Sequence, residues 1–198
     1  MARPRTHDDA LRGRLIDTAA RVLAEDGPHA VTTRRIAQEV GTSTTAIYTL
    51  LGSKTEMFRA MYLEGFSRLA VRQNGVPITD DAVADLSELG RAYFENGLAN
   101  PHLYDVMFHR PVRDFTPEPG DVEFAVSTLQ DVVDTVQRAV DQGVMRGDAR
   151  DIATEVWAVV HGVTSLTIAG MLDHDTAPAR LDHLMQMTTR GYCSEALA

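Results

Sequence analysis

Hydroxyl-bearing side chains recur along one face of a short helix that we predict to follow Ser43: Thr44, Thr45, Tyr48 and Thr49. Positively charged side chains lie on both sides of this stretch, with Arg34 and Arg35 before it and Lys54 after it. Hydroxyls donate and accept hydrogen bonds, and cationic side chains pair with phosphate oxygens. Such a face suits a groove lined by phosphates and base edges.

Two short helices separated by a tight turn must position these side chains. Thr33 is expected to cap the first helix, and Gly41 can take the positive φ that the turn requires. The apolar residues at helical spacing are predicted to face inward: Ile36, Ala37, Val40, Ala46, Ile47 and either Leu50 or Leu51. This arrangement of helix, turn and helix is one that places a helix in the major groove of DNA.

Within residues 31–54, a characteristic spacing is formed by Thr33, Ile36, Ala37, Gly41, Ser43, Ile47 and Tyr48. The pairs Ser53–Lys54 and Met57–Phe58 follow them. In this combination, residues 10–62 resemble the DNA-binding domain of the TetR family of bacterial transcriptional repressors. The resemblance implies an all-helical protein that contacts double-stranded DNA through its N-terminal domain.

The resemblance also implies a role for each matching residue. Thr33 and Arg34 would contact phosphates, helped by the positive N-terminus of their helix. Tyr48 and Lys54 would hold phosphates on the flanks of the site. The other expected contacts lie on the second helix, whose threonines would face base edges: Ser43, Thr44, Thr45 and Thr49.

The second helix departs from the family pattern at Leu50 and Leu51, where His and Phe are common. Leu51 can replace a core aromatic residue, but Leu50 cannot replace a hydrogen-bonding histidine. The contact face also lacks Arg, Asn, Gln and Lys. We therefore expect each base contact to contribute on the order of 1 kcal/mol or less, against roughly 1–3 kcal/mol for a bidentate pair. Dimerisation and DNA shape would supply the remaining selectivity.

The charge distribution is compatible with binding of DNA by the N-terminal segment alone. The formal net charge of the 198 residues is −9, but residues 1–54 hold eight Lys and Arg against six Asp and Glu. The acidic excess therefore lies in the remainder of the chain, which would be held away from phosphates. No apolar run approaches the roughly 18–20 residues that a membrane span needs. With one cysteine, Cys193, and no signal-peptide pattern, we expect a cytoplasmic protein.

Apolar periodicity and helix breakers predict an all-α chain. Nine helices are expected, at about 9–26, from Thr33, after Ser43, and at 54–72, 82–98, 101–109, 121–142, 148–171 and 178–196. Residues 110–120 contain three prolines and are predicted to form a loop. The count and order match the TetR family. They imply a helix-turn-helix domain with a polar arm (1–53), a connecting helix (54–72) and a ligand-binding and dimerisation domain (73–198).

The resemblance implies a homodimer in which the last two helices, about 148–171 and 178–196, pair with those of a second subunit. The apolar residues of the first of these helices independently favour burial on several sides: Ile152, Val156, Val159, Val160, Val163, Leu166 and Ile168. Burial within one monomer is the alternative explanation of the same pattern.

A candidate effector site is formed by aromatic residues with polar residues among them. Trp157, His161 and Ser165 recur at intervals of four on one helix face, which could line a mainly apolar pocket with polar anchors. The other candidates are Tyr93, Tyr104, Met107, Phe108, Phe124 and Thr128. The run from Trp157 to Gly162 also resembles the Trp-His-Gly signature of one TetR subgroup. For His161, a packed core position is the competing explanation.

Two other classes of protein compete with a DNA-binding regulator. An enzyme would depend on His161 or Cys193, but no nucleophile, metal-ligand or phosphate-loop motif accompanies either residue. A helical adaptor would not explain the arrangement of Arg34, Tyr48 and Lys54. We therefore expect no catalytic residue, metal or cofactor, and an unidentified small-molecule effector.

Overall fold

The computed structural model describes residues 5–109, 112 and 115–193, with side chains from residue 8 onward. The secondary structure of these residues consists of nine α-helices. In chain order they are α1 (Arg5–Asp26), α2 (Thr33–Val40), α3 (Thr44–Leu51), α4 (Lys54–Asn74), α5 (Ala82–Ala99), α6 (Pro101–Phe108), α7 (Pro119–Asp141), α8 (Ala149–Ile168) and α9 (Ala177–Arg190). The predicted all-α architecture of nine helices is confirmed.

The last helix is shorter than predicted. α9 ends at Arg190, and the chain turns so that Cys193 forms an isolated antiparallel bridge with Met145. The Arg146 N–H donates to the Tyr192 carbonyl at 2.8 Å, which fixes this crossing. The placement of Cys193 on the last helix was therefore wrong, and the predicted helical residues 194–196 lie outside the described part of the chain.

Two compact units divide the described residues. The first extends to Ser67 and also includes Asn100–Val122, and the second comprises Arg68–Ala99 and the residues from Glu123 onward. The functional division at 53 and 72 stays a prediction. Parts of the predicted N-terminal arm, residues 1–8, and of the predicted loop at 110–120 lie outside the described residues. In their described parts, α1 already begins at Arg5 and α7 at Pro119, so both helices begin earlier than predicted.

Apolar packing and several ion pairs, among them Arg59–Asp121, stabilise the first unit. In it α1 contacts α2, α3 and α6. Its fully buried side chains include Leu15, Ile16, Ile36, Ile47, Met57 and Met61. Arg59 pairs with Asp121 through two nitrogens, at 2.8 and 2.9 Å, and the Asp121 side chain is almost fully buried. The hydrogen bonds from Arg59 lower the pKa of Asp121 against the opposing effect of burial.

Not all of the apolar residues of α7 are buried. Val122 and Val126 are exposed, at 42% and 55%. From Ala125 onward the buried residues are Ala125, Thr128, Val132, Thr135, Val136 and Ala139. The hydroxyls of Thr128 and Thr135 donate to the carbonyls of Ala125 and Asp131. Because those hydroxyls are satisfied within the helix, both threonines pack as apolar residues do.

In the second unit, α8 lies against α5 and α9. Its inner stripe is buried within the unit and consists of Ile152, Val156, Val160 and Val163. Leu166 is 43% exposed, and Leu184 and Met187 of α9 are 36% and 54% exposed. Burial within the monomer thus explains only part of the apolar content of α8, and an outer apolar surface remains.

Candidate nucleic-acid interface

The turn between α2 and α3 is held by backbone and cap hydrogen bonds. Thr32 caps α2, since its backbone is extended and its hydroxyl oxygen accepts from the Arg35 N–H at 3.2 Å. The expectation that Thr33 is the cap was wrong, because Thr33 already has a helical position. Gly41 ends α2 in the left-handed region with φ 74°, and the Thr42 N–H donates to the Ala37 carbonyl at 2.9 Å. This is a glycine-terminated helix of the usual kind.

Ser43 starts the second helix of the motif. Its hydroxyl oxygen accepts from the Ala46 N–H at 3.2 Å, which satisfies one of the free donors at the start of α3. Ile47 is fully buried and Leu51 nearly so, whereas Ala46 and Leu50 are half-buried. These residues fix α3 to the first unit by one face, which leaves the opposite face in solvent.

The solvent face of α3 carries the predicted contact residues. Thr44, Thr45, Tyr48 and Thr49 are all exposed, and Tyr48 is 59% exposed, a high value for an aromatic residue. The Thr49 hydroxyl donates to the Thr45 carbonyl at 2.9 Å. The structure therefore places this row of side chains where a groove could reach them. Their contact with DNA stays a prediction.

The basic residues around α3 are not equivalent. Arg34 is exposed and makes no salt bridge within the described part of the chain. Arg35 instead pairs with Asp26 at 2.7 Å and with Glu39 at 2.9 Å. Glu39 also pairs with Arg21, and the hydrogen bond from Arg35 lowers the pKa of Glu39. Arg34 is thus available to a phosphate, whereas Arg35 serves to connect α1 and α2.

Lys54 has a structural contact that its sequence position does not reveal. Its Nζ donates to the Pro28 carbonyl at 2.6 Å and lies 5.6 Å from the centroid of the Phe58 ring. An ammonium group has three donors, so the bond to Pro28 leaves others for a phosphate. Thr33, the remaining predicted contact, is half-buried at the start of α2.

A capping box at the start of α4 was missed in the sequence. The Ser53 N–H donates to the Glu56 carboxylate at 2.6 Å, and the Glu56 N–H donates to the Ser53 hydroxyl at 3.2 Å. The signal was present as Ser-x-x-Glu. The bonds from Ser53 lower the pKa of Glu56. This box fixes the start of the helix that bears Lys54.

We expect Gly41→Ala to lower the free energy of unfolding by about 1–2 kcal/mol, because φ near 74° is unfavourable for a residue with a Cβ. A Cβ at Gly41 would meet no other atom within 4 Å, so the cost is that of the backbone alone. Gly13→Ala is the matched control, since Gly13 lies within α1 with the same open surroundings. It should stabilise the protein by about 0.5–1 kcal/mol. Urea unfolding measures the change in the free energy of unfolding in both variants. Changes of the same sign would contradict the positive φ assigned to Gly41.

Three of the predicted effector residues come together in the second unit. The Tyr93 hydroxyl and His161 Nδ1 are 2.9 Å apart, and the rings of Trp157 and His161 have centroids 5.7 Å apart. Tyr93 is buried and Trp157 is 36% exposed. Ser165 is half-buried one turn further along α8. This cluster could form one wall of a ligand site, with His161 as its polar anchor.

The other predicted effector residues have different surroundings. Thr128 is buried with its hydroxyl bonded to the Ala125 carbonyl, and Phe124 is 37% exposed on α7. The remaining three belong to the first unit: Tyr104, Met107 and Phe108. The Tyr104 and Phe108 rings are 4.8 Å apart, and Phe108 lies 5.6 Å from Phe66. These residues pack within the first unit, and their role towards an effector stays a prediction.

Neither a metal centre nor a membrane span is found among the described residues. They contain no group of three or more His, Cys, Asp or Glu side chains arranged to hold a metal ion. None of the described helices is long and apolar enough to cross a membrane.

The fold and this surface define a helix-turn-helix protein of the all-α class. Residues 15–61 match the model of the bacterial regulatory proteins of the TetR family. Residues 86–190, more than half of the chain, match the tetracyclin repressor-like C-terminal domain. The chain therefore belongs to the TetR family, a family of DNA-binding transcriptional regulators and not of enzymes.

Individual relatives are distant. An HTH-type transcriptional regulator of Mycobacterium tuberculosis is 23% identical over 145 residues, which cover 72% of this chain and 61% of the relative. A protein of unknown function from a Rhodococcus species is 26% identical, with a TM-score of 0.77 over 93% of this chain and 96% of its own. The TetR family regulator PfmR of Thermus thermophilus is 20% identical, with a TM-score of 0.75 over 89% and 97% of the two chains. The last likeness concerns the fold alone.

Proposed function

We propose that the protein is a ligand-responsive transcriptional repressor that acts in the cytoplasm. As a homodimer it binds a pseudo-palindromic operator, and a small, mainly apolar effector releases it. The observation that carries the proposal is the exposed row of hydroxyls on α3 beside Arg34, which has no salt bridge among the described residues. Membership of the TetR family supports the same function.

The second unit offers a surface for the proposed dimer. Outside its buried stripe, α8 carries small residues at intervals of three or four, namely Thr154, Ala158, Gly162 and Ser165. A Cβ at Gly162 would meet nothing within 4 Å, so this surface is open. Small residues allow two helices to approach closely, and exposed Leu166, Leu184 and Met187 would gain burial in the contact. Pairing of α8 and α9 with a second copy would give the two-fold symmetry that an inverted repeat requires.

The cluster of Tyr93, Trp157 and His161 is the proposed effector site. It combines aromatic surface with one polar anchor, which is the usual composition of a site for a small apolar ligand. We expect the effector to bind more tightly to the conformation that cannot bind DNA. The effector then lowers the affinity for DNA, and DNA lowers the affinity for the effector by the same factor.

Selection from random double-stranded DNA, followed by gel shift, tests the proposal. The expected product is an inverted repeat bound by two subunits. A reporter gene placed behind that repeat should be expressed less in the presence of the protein. If repeated selection enriches no inverted repeat, the proposed operator binding is refuted. If the reporter gene is instead expressed more in the presence of the protein, the protein is an activator and the proposed repression is refuted.

Arg34→Ala should weaken binding uniformly across operator variants, because a phosphate contact carries no sequence information. The slope of the logarithm of the DNA association constant against the logarithm of the salt concentration should become smaller in magnitude. The change should be about 0.9 for each DNA-binding domain, or about 2 for a dimer. Fluorescence anisotropy at several salt concentrations measures the slope. Arg146→Ala is the matched control, since Arg146 is an exposed arginine between α7 and α8 and its loss should leave the slope unchanged. An unchanged slope in Arg34→Ala would remove this contact from the interface.

A further inference from the structure

A cluster of ion pairs, here called the α1–α2 cluster, joins the end of α1 to α2 within the first unit. Glu39 of α2 accepts from Arg21 of α1 and, at 2.9 Å, from Arg35 of its own helix. Arg35 also pairs with Asp26 at 2.7 Å, and Arg21 with Glu25 at 2.6 Å. Three carboxylates thus hold two guanidinium groups, so the cluster carries a net charge of −1.

The α1–α2 cluster lies beside two of the expected phosphate contacts. Arg35 directly follows Arg34 in the first turn of α2. Asp26 lies two residues before Pro28, whose carbonyl accepts from Lys54 Nζ at 2.6 Å. Two residues of chain span at most about 7 Å, which is less than the screening length of roughly 8 Å at physiological salt. The charges of the cluster therefore act on a phosphate bound at either contact.

Solvent reaches the α1–α2 cluster, so DNA could reach it as well. Arg35 is half-buried, whereas Asp26 and Glu39 are exposed. Exposed ion pairs are weak, because water and salt compete with them. A phosphate that takes Arg35 must nevertheless replace both of its carboxylate partners and leave them unpaired beside the DNA backbone. The contact of Arg35 with DNA is thus opposed by the protein's own acidic residues.

We propose that the α1–α2 cluster limits the affinity of the protein for DNA of any sequence. Its carboxylates keep Arg21 and Arg35 from the phosphate backbone and repel the phosphates, so that Arg34 is the arginine that α2 offers. Phosphate contacts dominate non-specific binding, and each one withheld lowers the affinity without changing the sequence preference. The inference rests on the proposed DNA-binding function and adds an internal contact that opposes it.

Binding of the full chain to a short duplex of random sequence tests the proposal without a known operator. Asp26→Asn with Glu39→Gln keeps the size of both side chains and removes both ionic partners of Arg35. The affinity for the duplex should rise about tenfold at about 150 mM salt. The slope of the logarithm of the association constant against the logarithm of the salt concentration should grow in magnitude by about 0.9 for each DNA-binding domain. Fluorescence anisotropy measures both quantities.

Three further variants separate the released arginine from net charge and from folding. Addition of Arg35→Gln to the double variant should return the slope to the wild-type value. Glu123→Gln with Asp141→Asn removes two exposed carboxylates of α7 in the second unit and should change neither affinity nor slope. The single variant Glu39→Gln keeps the pair of Arg35 and Asp26 and should show a smaller rise in affinity. Melting temperatures should stay close to that of the wild type, because exposed ion pairs contribute little to stability.

The possible outcomes distinguish this proposal from the proposed function. Unchanged affinity and slope in the double variant would overturn the proposal alone, because the cluster would then serve only to join α1 and α2. An equal rise in the α7 variant would also overturn it, since net charge would explain the effect. If neither the wild type nor the double variant bound duplex DNA, the proposed function would fail together with this proposal.

Discussion

Asp85→Ala is expected to destabilise the protein by about 2–4 kcal/mol, because it breaks a buried network of charge-assisted hydrogen bonds. Asp85 is almost fully buried and accepts from the Thr79 N–H at 2.9 Å and the Thr79 hydroxyl at 2.6 Å. It also accepts from Arg138, whose second terminal nitrogen donates to the Thr79 carbonyl. The carboxylate therefore holds the segment before α5 and the side of α7 together. Chemical denaturation measures the loss.

The pH dependence of stability provides a second readout of Asp85. Burial alone would raise its pKa, but the hydrogen bonds from Thr79 and Arg138 outweigh burial and lower it. A lowered pKa in the folded state means that the contribution of Asp85 is present at neutral pH and is lost as pH falls below about 4. Asp85→Asn should remove that acid-dependent part and reduce stability less than Asp85→Ala. The exposed Asp141→Ala is the control and should change stability by less than about 0.5 kcal/mol. A parallel pH profile in the wild type and Asp85→Asn would contradict the assignment.

Ile47→Ala should cost about 2–5 kcal/mol, since Ile47 is fully buried beneath the contact face of α3. Because Ile47 anchors α3, we expect the loss to weaken operator binding together with stability. Ile47→Val, with a smaller cavity, should cost only about 0.5–1.5 kcal/mol. Calorimetry and gel shift measure the two effects on the same samples.

Tyr48→Ala is the matched comparison from the neighbouring exposed position. Tyr48 is 59% exposed, so its removal should reduce DNA affinity with little change in melting temperature. If Ile47→Ala lowered affinity without lowering stability, Ile47 would be a contact residue and the orientation of α3 would be wrong.

The helix-turn-helix could be predicted closely because each signal in it is local. The buried Ile36 and Ile47, the turn at Gly41 and the cap at Ser43 each follow from a few neighbouring residues. The cap of α2 could not be placed to the residue, because Thr32 and Thr33 have the same chemistry. Only the backbone conformation, extended at Thr32, distinguishes them.

The remainder of the chain shows what local signals cannot supply. The buried face of α7 includes Thr128 and Thr135, which an apolar pattern does not mark, because both hydroxyls bond to their own helix and both residues pack as apolar residues do. The pair of Asp85 and Arg138 joins positions 53 residues apart, so no pattern in either segment predicts it. Family resemblance supplied the order of the helices but none of these contacts.

The internal hydrogen bond of Thr49 limits what its side chain can read. Its proton is committed to the Thr45 carbonyl, so its oxygen is left as an acceptor only. In the major groove, the donors at base edges are the exocyclic amino groups of adenine and cytosine. In the proposed complex with DNA, we therefore expect the Thr49 oxygen to accept from either of these two bases and not to pair with the acceptor-only edges of guanine or thymine. Its methyl group could still contact a thymine methyl. The intramolecular bond thus lets the hydroxyl distinguish adenine and cytosine from guanine and thymine, but not adenine from cytosine. We therefore expect degenerate operator positions opposite Thr49 instead of a single preferred base.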